Sequence, residues 1–196
     1  MFLLDFLFPK DPKIIELEKL SSEKLLDLLP PHSLPFDYGH PLVKEVVWEI
    51  KYKGNMILAE KIGILLYDTI IDALTAEKAI LVPIPISDKR RFERGWNQAE
   101  LLCQAIKGCD SDQRLKFLPR QLYKPYHTEN QTKTTTKKER LNNLRNSMRV
   151  ANPAAVADKC VILIDDVTTT GATFAEAKRA LKEAGAKKVL CFAIAH

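Results

Sequence analysis

The sequence predicts an α/β protein: a parallel sheet with flanking helices, plus a small N-terminal hood. Three observations predict it. The chain has 196 residues and is 46% hydrophobic, enough for one such domain with an appendage and too little for two full domains. Short apolar runs at Ala79-Ile80-Leu81-Val82-Pro83 and Val161-Ile162-Leu163-Ile164 read as buried strands, and Val189–Ala195 is a further apolar run. Between the last two, Phe174, Ala177, Leu181 and Ala184 recur at helical spacing. Strand, helix and strand make a βαβ unit, which implies parallel pairing.

The elements follow in order. Met1–Phe8 is apolar but carries Asp5, lacks a basic leader and runs into Pro9. It is too short to span a membrane and a poor signal peptide, so it is expected to pack on the domain or at an interface. Ile14–Leu29 shows a short helical pattern. The proline-rich stretch Pro30-Pro31-His32-Ser33-Leu34-Pro35 ends it. A boundary near residues 30–42 follows, with the hood over residues 1–40 and the main domain over 41–196. Pro41–Tyr52 is apolar and partly β-branched. After Gly54 a long helix is expected through Met56, Ile57, Leu58, Ile62, Leu65, Leu66, Thr69, Ile70 and Leu74. The run at 79–83 precedes a helix carrying Ala99, Leu102, Cys103 and Ile106 on one face. Residues 121–147 are polar, rich in Lys, Thr and Asn, with a charged helical start at Thr136–Leu144. Asp165–Thr173 is expected as a polar turn, Thr173-x-x-Glu176 as a capping box, and Gly185 as a helix stop.

Charged residues of both signs make up 28% of the chain, with a formal net charge of +5. That excess suits an anionic small substrate or weak, salt-sensitive nucleic-acid contact, and equally an ordinary soluble surface. Cys103, Cys109, Cys160 and Cys191 form no C-x-x-C pair, so neither a zinc site nor a disulfide framework is signalled. Cys160 and Cys191 adjoin apolar runs and are expected as reduced core residues, which favours a cytoplasmic protein. Cys103 and Cys109 fall on the helix after Trp96, away from the polar turn, so no strong covalent nucleophile is implied.

The turn carries the chemistry. It reads Asp165-Asp166-Val167-Thr168-Thr169-Thr170-Gly171-Ala172-Thr173, between a buried strand and a helix start, where ligands bind in open α/β sheets. The helix start offers unpaired N–H donors and the positive end of a dipole. Hydroxyls at Thr168, Thr169, Thr170 and Thr173 add donors around a phosphate, and Gly171 permits close backbone approach or a positive φ. Two adjacent carboxylates leaving a core strand are costly unless they meet cations or hydroxyl donors, and a sugar diol with Mg²⁺ supplies both. The bland alternative is an acidic capping turn.

This segment resembles the motif of type I phosphoribosyltransferases that binds 5-phosphoribosyl-1-pyrophosphate (PRPP). Further segments resemble the ComF family, associated with competence and DNA uptake. They are Lys51-Tyr52-Lys53-Gly54, then Val82-Pro83-Ile84-Pro85 leading into Arg91-Phe92-Glu93-Arg94-Gly95-Trp96-Asn97-Gln98-Ala99, and Gln131…Lys138-Glu139-Arg140…Asn143-Leu144-Arg145. Together they cover roughly residues 45–196. The resemblance implies that Asp165 and Asp166 hold the ribose hydroxyls and bear on Mg²⁺ directly or indirectly. It gives the 5-phosphate to Thr168, Thr169, Thr170, Gly171, Ala172 and Thr173. It gives the pyrophosphate to Lys51, Tyr52, Lys53 and Gly54, with Arg91, Arg94 and Asn97 nearby. Lys51 joins the two acids as a catalytic candidate. A polar loop over 126–140 would close on the site, with Lys133, Lys137 and Arg140 covering charge. Many family members carry a cysteine-rich zinc module at the N-terminus, whereas this chain has no cysteine before Cys103. Residues 1–40 therefore look like a replacement without zinc, and His32 and His40 alone do not make a metal site.

The expected reaction is displacement of pyrophosphate from PRPP by an unassigned acceptor. Two rivals remain open at this level. One is a sensor that binds PRPP or a nucleotide without turnover. The other is an accessory in DNA uptake that touches single-stranded DNA or competence proteins; Tyr123–Tyr126 and Arg91-Phe92 offer a little of the aromatic and basic interleaving it needs.

Overall fold

Apolar runs become strands wherever helices cover both of their faces. The computed structural model describes residues 11–75, 78–125 and 146–196. Its strands are β1 (Ala79–Pro83), β2 (Leu115–Phe117), β3 (Leu122–Tyr123), β4 (Arg149–Val150), β5 (Cys160–Val167) and β6 (Lys188–Ala195). Four form a sheet in the order β2-β1-β5-β6, parallel at every pairing, and β3 and β4 form a separate antiparallel ribbon. The parallel sheet with flanking helices is therefore the fold, as the βαβ pattern indicates.

The helices are α1 (Pro12–Lys19), α2 (Ser22–Leu28), α3 (Pro41–Trp48), α4 (Met56–Leu74), α5 (Asp88–Arg94), α6 (Gln98–Cys109), α7 (Pro153–Val156) and α8 (Ala172–Glu183). Successive strand residues point to opposite faces. Cys160, Ile162 and Ile164 of β5 join a core with α1 to α4 and α6, while Val161 and Leu163 join Phe174, Ala177 and Leu181 of α8 on the other side. Burying one Leu or Ile side chain on either face contributes about 1.5–3 kcal/mol.

Local chemistry explains where the elements depart from expectation. The pattern over Ile14–Leu29 splits into α1 and α2, because the Ser21 hydroxyl accepts from the Lys24 amide and starts a new helix. Pro41–Tyr52 is helical: Pro41 opens α3, which runs into a π-helical turn at Glu49–Lys53. Gly54 ends that turn in the left-handed region (φ 60°), and Asn55 then caps α4 by accepting from the Leu58 amide. β5 continues through Asp165, Asp166 and Val167, expected as turn, because β6 offers Ala193 and Ala195 as pairing partners. No capping box forms at α8: Gly171 is its N-cap, and Glu176 instead accepts from the Met148 amide and pairs with Arg179. Cys191, expected in the core, is exposed on the edge strand β6, whereas Cys160 is buried.

Residues 11–40 share the core of the sheet. Ile14, Leu17, Leu25 and Leu29 pack with Leu58, Ile62 and Leu66 of α4. Phe36, fully buried, bridges in parallel to Ala195; its amide donates to the Ile194 carbonyl, and the Tyr38 amide donates to that of His196. The expectations for Met1–Phe8 and Thr136–Leu144 lie outside the described residues. Among the described residues no helix is long and apolar enough to cross a membrane.

Candidate active site

The site forms where β1 and β5 end and α8 begins. Asp165 and Asp166 stand side by side near the end of β5, close enough for their carboxyl groups to hydrogen-bond each other. Asp166 lies on the face of Ile162 and Ile164, beneath the π-turn and α6. Its Oδ2 is 2.7 Å from Lys51 Nζ, and its Oδ1 accepts from Gln98 Nε2 at 3.5 Å. The Oδ1 of Asp165 accepts from the Asp166 amide at 2.9 Å. Both are buried, at 8% and 4% exposure.

Their protonation tendencies diverge. Burial, and then the charge of Asp166, push the Asp165 carboxyl well above the usual carboxylate range. Burial alone would raise Asp166 too, but the Lys51 ammonium and hydrogen bonds from its surroundings outweigh it and hold Asp166 below the usual range. The pair titrates as a unit, with Asp166 as the ionised member and Asp165 as the acid that keeps its proton longer.

The loop after β5 is tied down at one end. The Thr168 amide donates to the Ala195 carbonyl at 2.9 Å, while Thr169 and Thr170 are exposed. Gly171 has φ 71°, and a Cβ built there meets nothing within 4 Å. Its role is conformational: it turns the chain into α8 and leaves open space above the helix start. The first amides of α8 have no acceptor within the helix. The Thr170 hydroxyl accepts from the Ala172 amide at 3.4 Å, and the Ala175 amide donates to the Gly171 carbonyl. Thr173 lies within the first turn.

The basic candidates are engaged to different degrees. Lys51 is held by Asp166. Tyr52 and Lys53 are exposed; Lys53 Nζ sits 5.5 Å from the Trp48 ring centre, and Tyr52 lies 5.9 Å from Trp48. The Gly54 backbone packs on Trp96, where a Cβ would come within 3.1 Å of the indole. Arg94 stacks on Tyr52 at 4.7 Å and donates to Gln98 Oε1. Arg91 pairs with Glu100 at 2.7 Å. Asn97 is 2% exposed; its amide nitrogen donates to the Ile84 carbonyl and its oxygen caps α6 at the Ala99 amide. Lys51, Arg94 and Gln98 thus gather around Asp166, whereas Asn97 is turned to the fold. Lys133, Lys137 and Arg140 lie outside the described residues.

Two residues without an assigned role in the sequence belong here. Gln98 ends the Arg-Gly-Trp-Asn-Gln segment and links Arg94 to Asp166. Lys124 lines a cavity of about 330 Å³ with Arg91, Asn97 and Arg120. Burial and the charge of Arg90 lower its pKa, opposed by Asp165. Nothing in the polar stretch from 121 sets Lys124 apart from its neighbours.

Among the described residues no group of three or more His, Cys, Asp and Glu gathers as a metal cage. The acid pair offers hard oxygen donors only. That fits Mg²⁺, which is held by one or two carboxylates and takes its other ligands from substrate phosphate and water.

The chain is similar to known proteins in sequence and in fold. Residues 99–196, half of the chain, match the family model described as the phosphoribosyl transferase domain. DNA utilization protein YhgH of Escherichia coli (strain K12) is 28% identical over 168 residues, covering 78% of this chain and 66% of that protein. Competence protein ComFC of Bacillus subtilis (strain 168) is 30% identical over 144 residues, covering 74% of this chain and 55% of that protein. The chain thus spans just under two thirds of the first relative's length and about half of the second's. Among solved structures, the allosteric regulatory enzyme of purine biosynthesis aligns with a TM-score of 0.45 and 17% identity, over 76% of this chain and 30% of that one.

Proposed function

Because the chain belongs to the phosphoribosyl transferase domain family, we propose that it is a ComF-type protein that binds PRPP and displaces its pyrophosphate with an acceptor. The observation that supports this most is the buried Asp165–Asp166 pair near the end of a core strand, joined by a short threonine loop to the Gly171-capped start of α8. An acidic capping turn needs neither the burial nor the left-handed glycine.

The proposed roles follow from position. The first-turn amides of α8 and the hydroxyls of Thr168, Thr169, Thr170 and Thr173 receive the 5-phosphate, and Gly171 lets it approach the backbone. Asp165 and Asp166 accept from the ribose hydroxyls. The same acids would hold Mg²⁺ directly or through water, and the cation would supply positive charge at the pyrophosphate. Lys51 and Arg91 add charge at that end, and Lys124 and Arg120 face it across the adjoining cavity. In the reaction the acceptor forms a bond to the anomeric carbon, and pyrophosphate departs with the electron pair of the C–O bond.

A screen for pyrophosphate release from PRPP against nucleobases and amines tests the reaction. Release with one acceptor, abolished in Asp166→Asn, supports it. PRPP binding with no release and no isotopic pyrophosphate exchange would leave a sensor instead. A role on single-stranded DNA is a second reading, favoured by the cation–aromatic cluster of Trp48, Tyr52, Lys53 and Arg94. Salt-dependent oligonucleotide binding lost in Trp48→Leu is its test.

A further inference from the structure

Lys51 Nζ lies 2.7 Å from Asp166 Oδ2, with the lysine side chain 24% and the carboxylate 5% exposed. Asp166 is the buried partner of this pair, so removing Lys51 leaves its charge uncompensated. The Lys51 ammonium occupies the side of Asp166 that a hard cation would need. An ammonium and a divalent cation compete there for one carboxylate, since two cations at close range repel strongly in a buried site.

We propose that Lys51 is an internal counter-ion that stands in for the divalent cation at Asp166. Mg²⁺ then enters only together with an anionic phosphoribosyl ligand, whose pyrophosphate receives the released ammonium. The proposal rests on the reading of this site as a PRPP site.

The surroundings of Lys51 fit an exchange. It sits on the π-helical turn Glu49–Lys53, and such turns are rare and recur at functional sites. The turn is anchored behind Lys51 by Gly54 against Trp96 and by Asn55, which donates to Glu18 and Glu49. The movement therefore falls to the lysine side chain, whose flexible four-carbon stem allows it. A cavity of about 520 Å³, lined by Lys51 together with Tyr38, Lys44, Trp48 and Tyr52, gives it room to leave. Gln98 stays behind: its Nε2 donates to Asp166 Oδ1 while its own Oε1 is held by Arg94. Asp166 thus keeps a neutral donor when the ammonium departs.

The test is a titration with Mg²⁺ alone, followed by thermal unfolding and calorimetry on the full chain. Wild type should show little response to millimolar Mg²⁺ and a clear one when ribose 5-phosphate is added with it. Lys51→Met should respond to Mg²⁺ without any ligand, with an affinity about tenfold tighter than wild type or more. Lys51→Arg should behave as wild type, and Lys51→Met combined with Asp166→Asn should lose the gain. If Lys51→Met does not fold without metal, Mg²⁺-dependent refolding supports the proposal and refolding indifferent to Mg²⁺ overturns it. A folded Lys51→Met no more responsive than wild type also overturns it. Failure of wild type to bind PRPP would sink the PRPP reading, while the Mg²⁺ response of Lys51→Met would still be read on its own.

Discussion

Lys51 pairs with Asp166 and not with Asp165, and this difference separates the chemistry of two adjacent buried acids. Asp165 has a raised pKa in the folded protein, so its linkage runs against stability as pH rises. Its contribution is fully present below the ordinary carboxylate pKa, and is lost as pH climbs from there through the raised folded value. Asp166 is the reverse: its contribution is present above the ordinary carboxylate pKa and is lost on acidification through its depressed folded value. Asp165→Asn imitates the protonated acid. It should therefore melt at a higher temperature than wild type near neutral pH, with the gap closing in acid; unfolding scans across pH would show it. A lower melting temperature at neutral pH would contradict the assignment. The same variant should lose ribose 5-phosphate yet keep weak phosphate binding. Gly171→Val should lose both ligands, because the residue needs a positive φ while nothing crowds its Cβ position. Forcing a β-branched residue there costs about 1–3 kcal/mol, which leaves the fold in place. Ribose 5-phosphate and inorganic phosphate titrations on the two variants check this contrast.

Elements place these residues, and not every element was legible in the sequence. β5, α8, α4 and α6 follow from apolar periodicity, because each buries a face that repeats over several turns or residues. Neither α3 nor the π-turn was legible: Pro41–Tyr52 reads as apolar and partly β-branched, and only Gly54, which leaves the turn in the left-handed region, hints that the chain turns there. Nor was the length of β5, since Asp165 and Asp166 are strand residues by virtue of what β6 offers across the ladder. Asn97 shows a motif residue with a structural duty. Its amide nitrogen holds the end of β1 through Ile84 and its oxygen caps α6, so Asn97→Ala should cost about 2–4 kcal/mol in denaturant unfolding. A change below about 0.5 kcal/mol, the range of neutral surface substitutions, would show that these bonds do not hold the helix start. Lys51 belongs to the π-turn. Lys51→Ala should weaken PRPP more than ribose 5-phosphate, by about 1–3 kcal/mol, because only PRPP carries pyrophosphate. Equal losses for the two ligands would remove Lys51 from the pyrophosphate end.

At the scale of the whole molecule, two cores on the two faces of one sheet hold the carboxyl ends of β1 and β5 beside the π-turn and α8. The parallel topology could be read from the βαβ pattern at the C-terminal end, and the loop at 168–171 from its position between a buried strand and a helix start. What could not be read is the convergence of distant segments: Lys51, Gln98 and Asp166 are far apart in the chain and meet only through packing. The residues 36–38 that extend the sheet beyond β6 are likewise set by tertiary pairing, not by any local pattern. The central proposal is that this convergence is a site for PRPP and Mg²⁺ together. Calorimetric titration of PRPP into the protein, once with Mg²⁺ and once with excess EDTA, tests it most directly. Saturable binding with Mg²⁺ and a loss of affinity of at least about tenfold in EDTA is the predicted result. Equal affinity in the two buffers, or no binding in either, would contradict it.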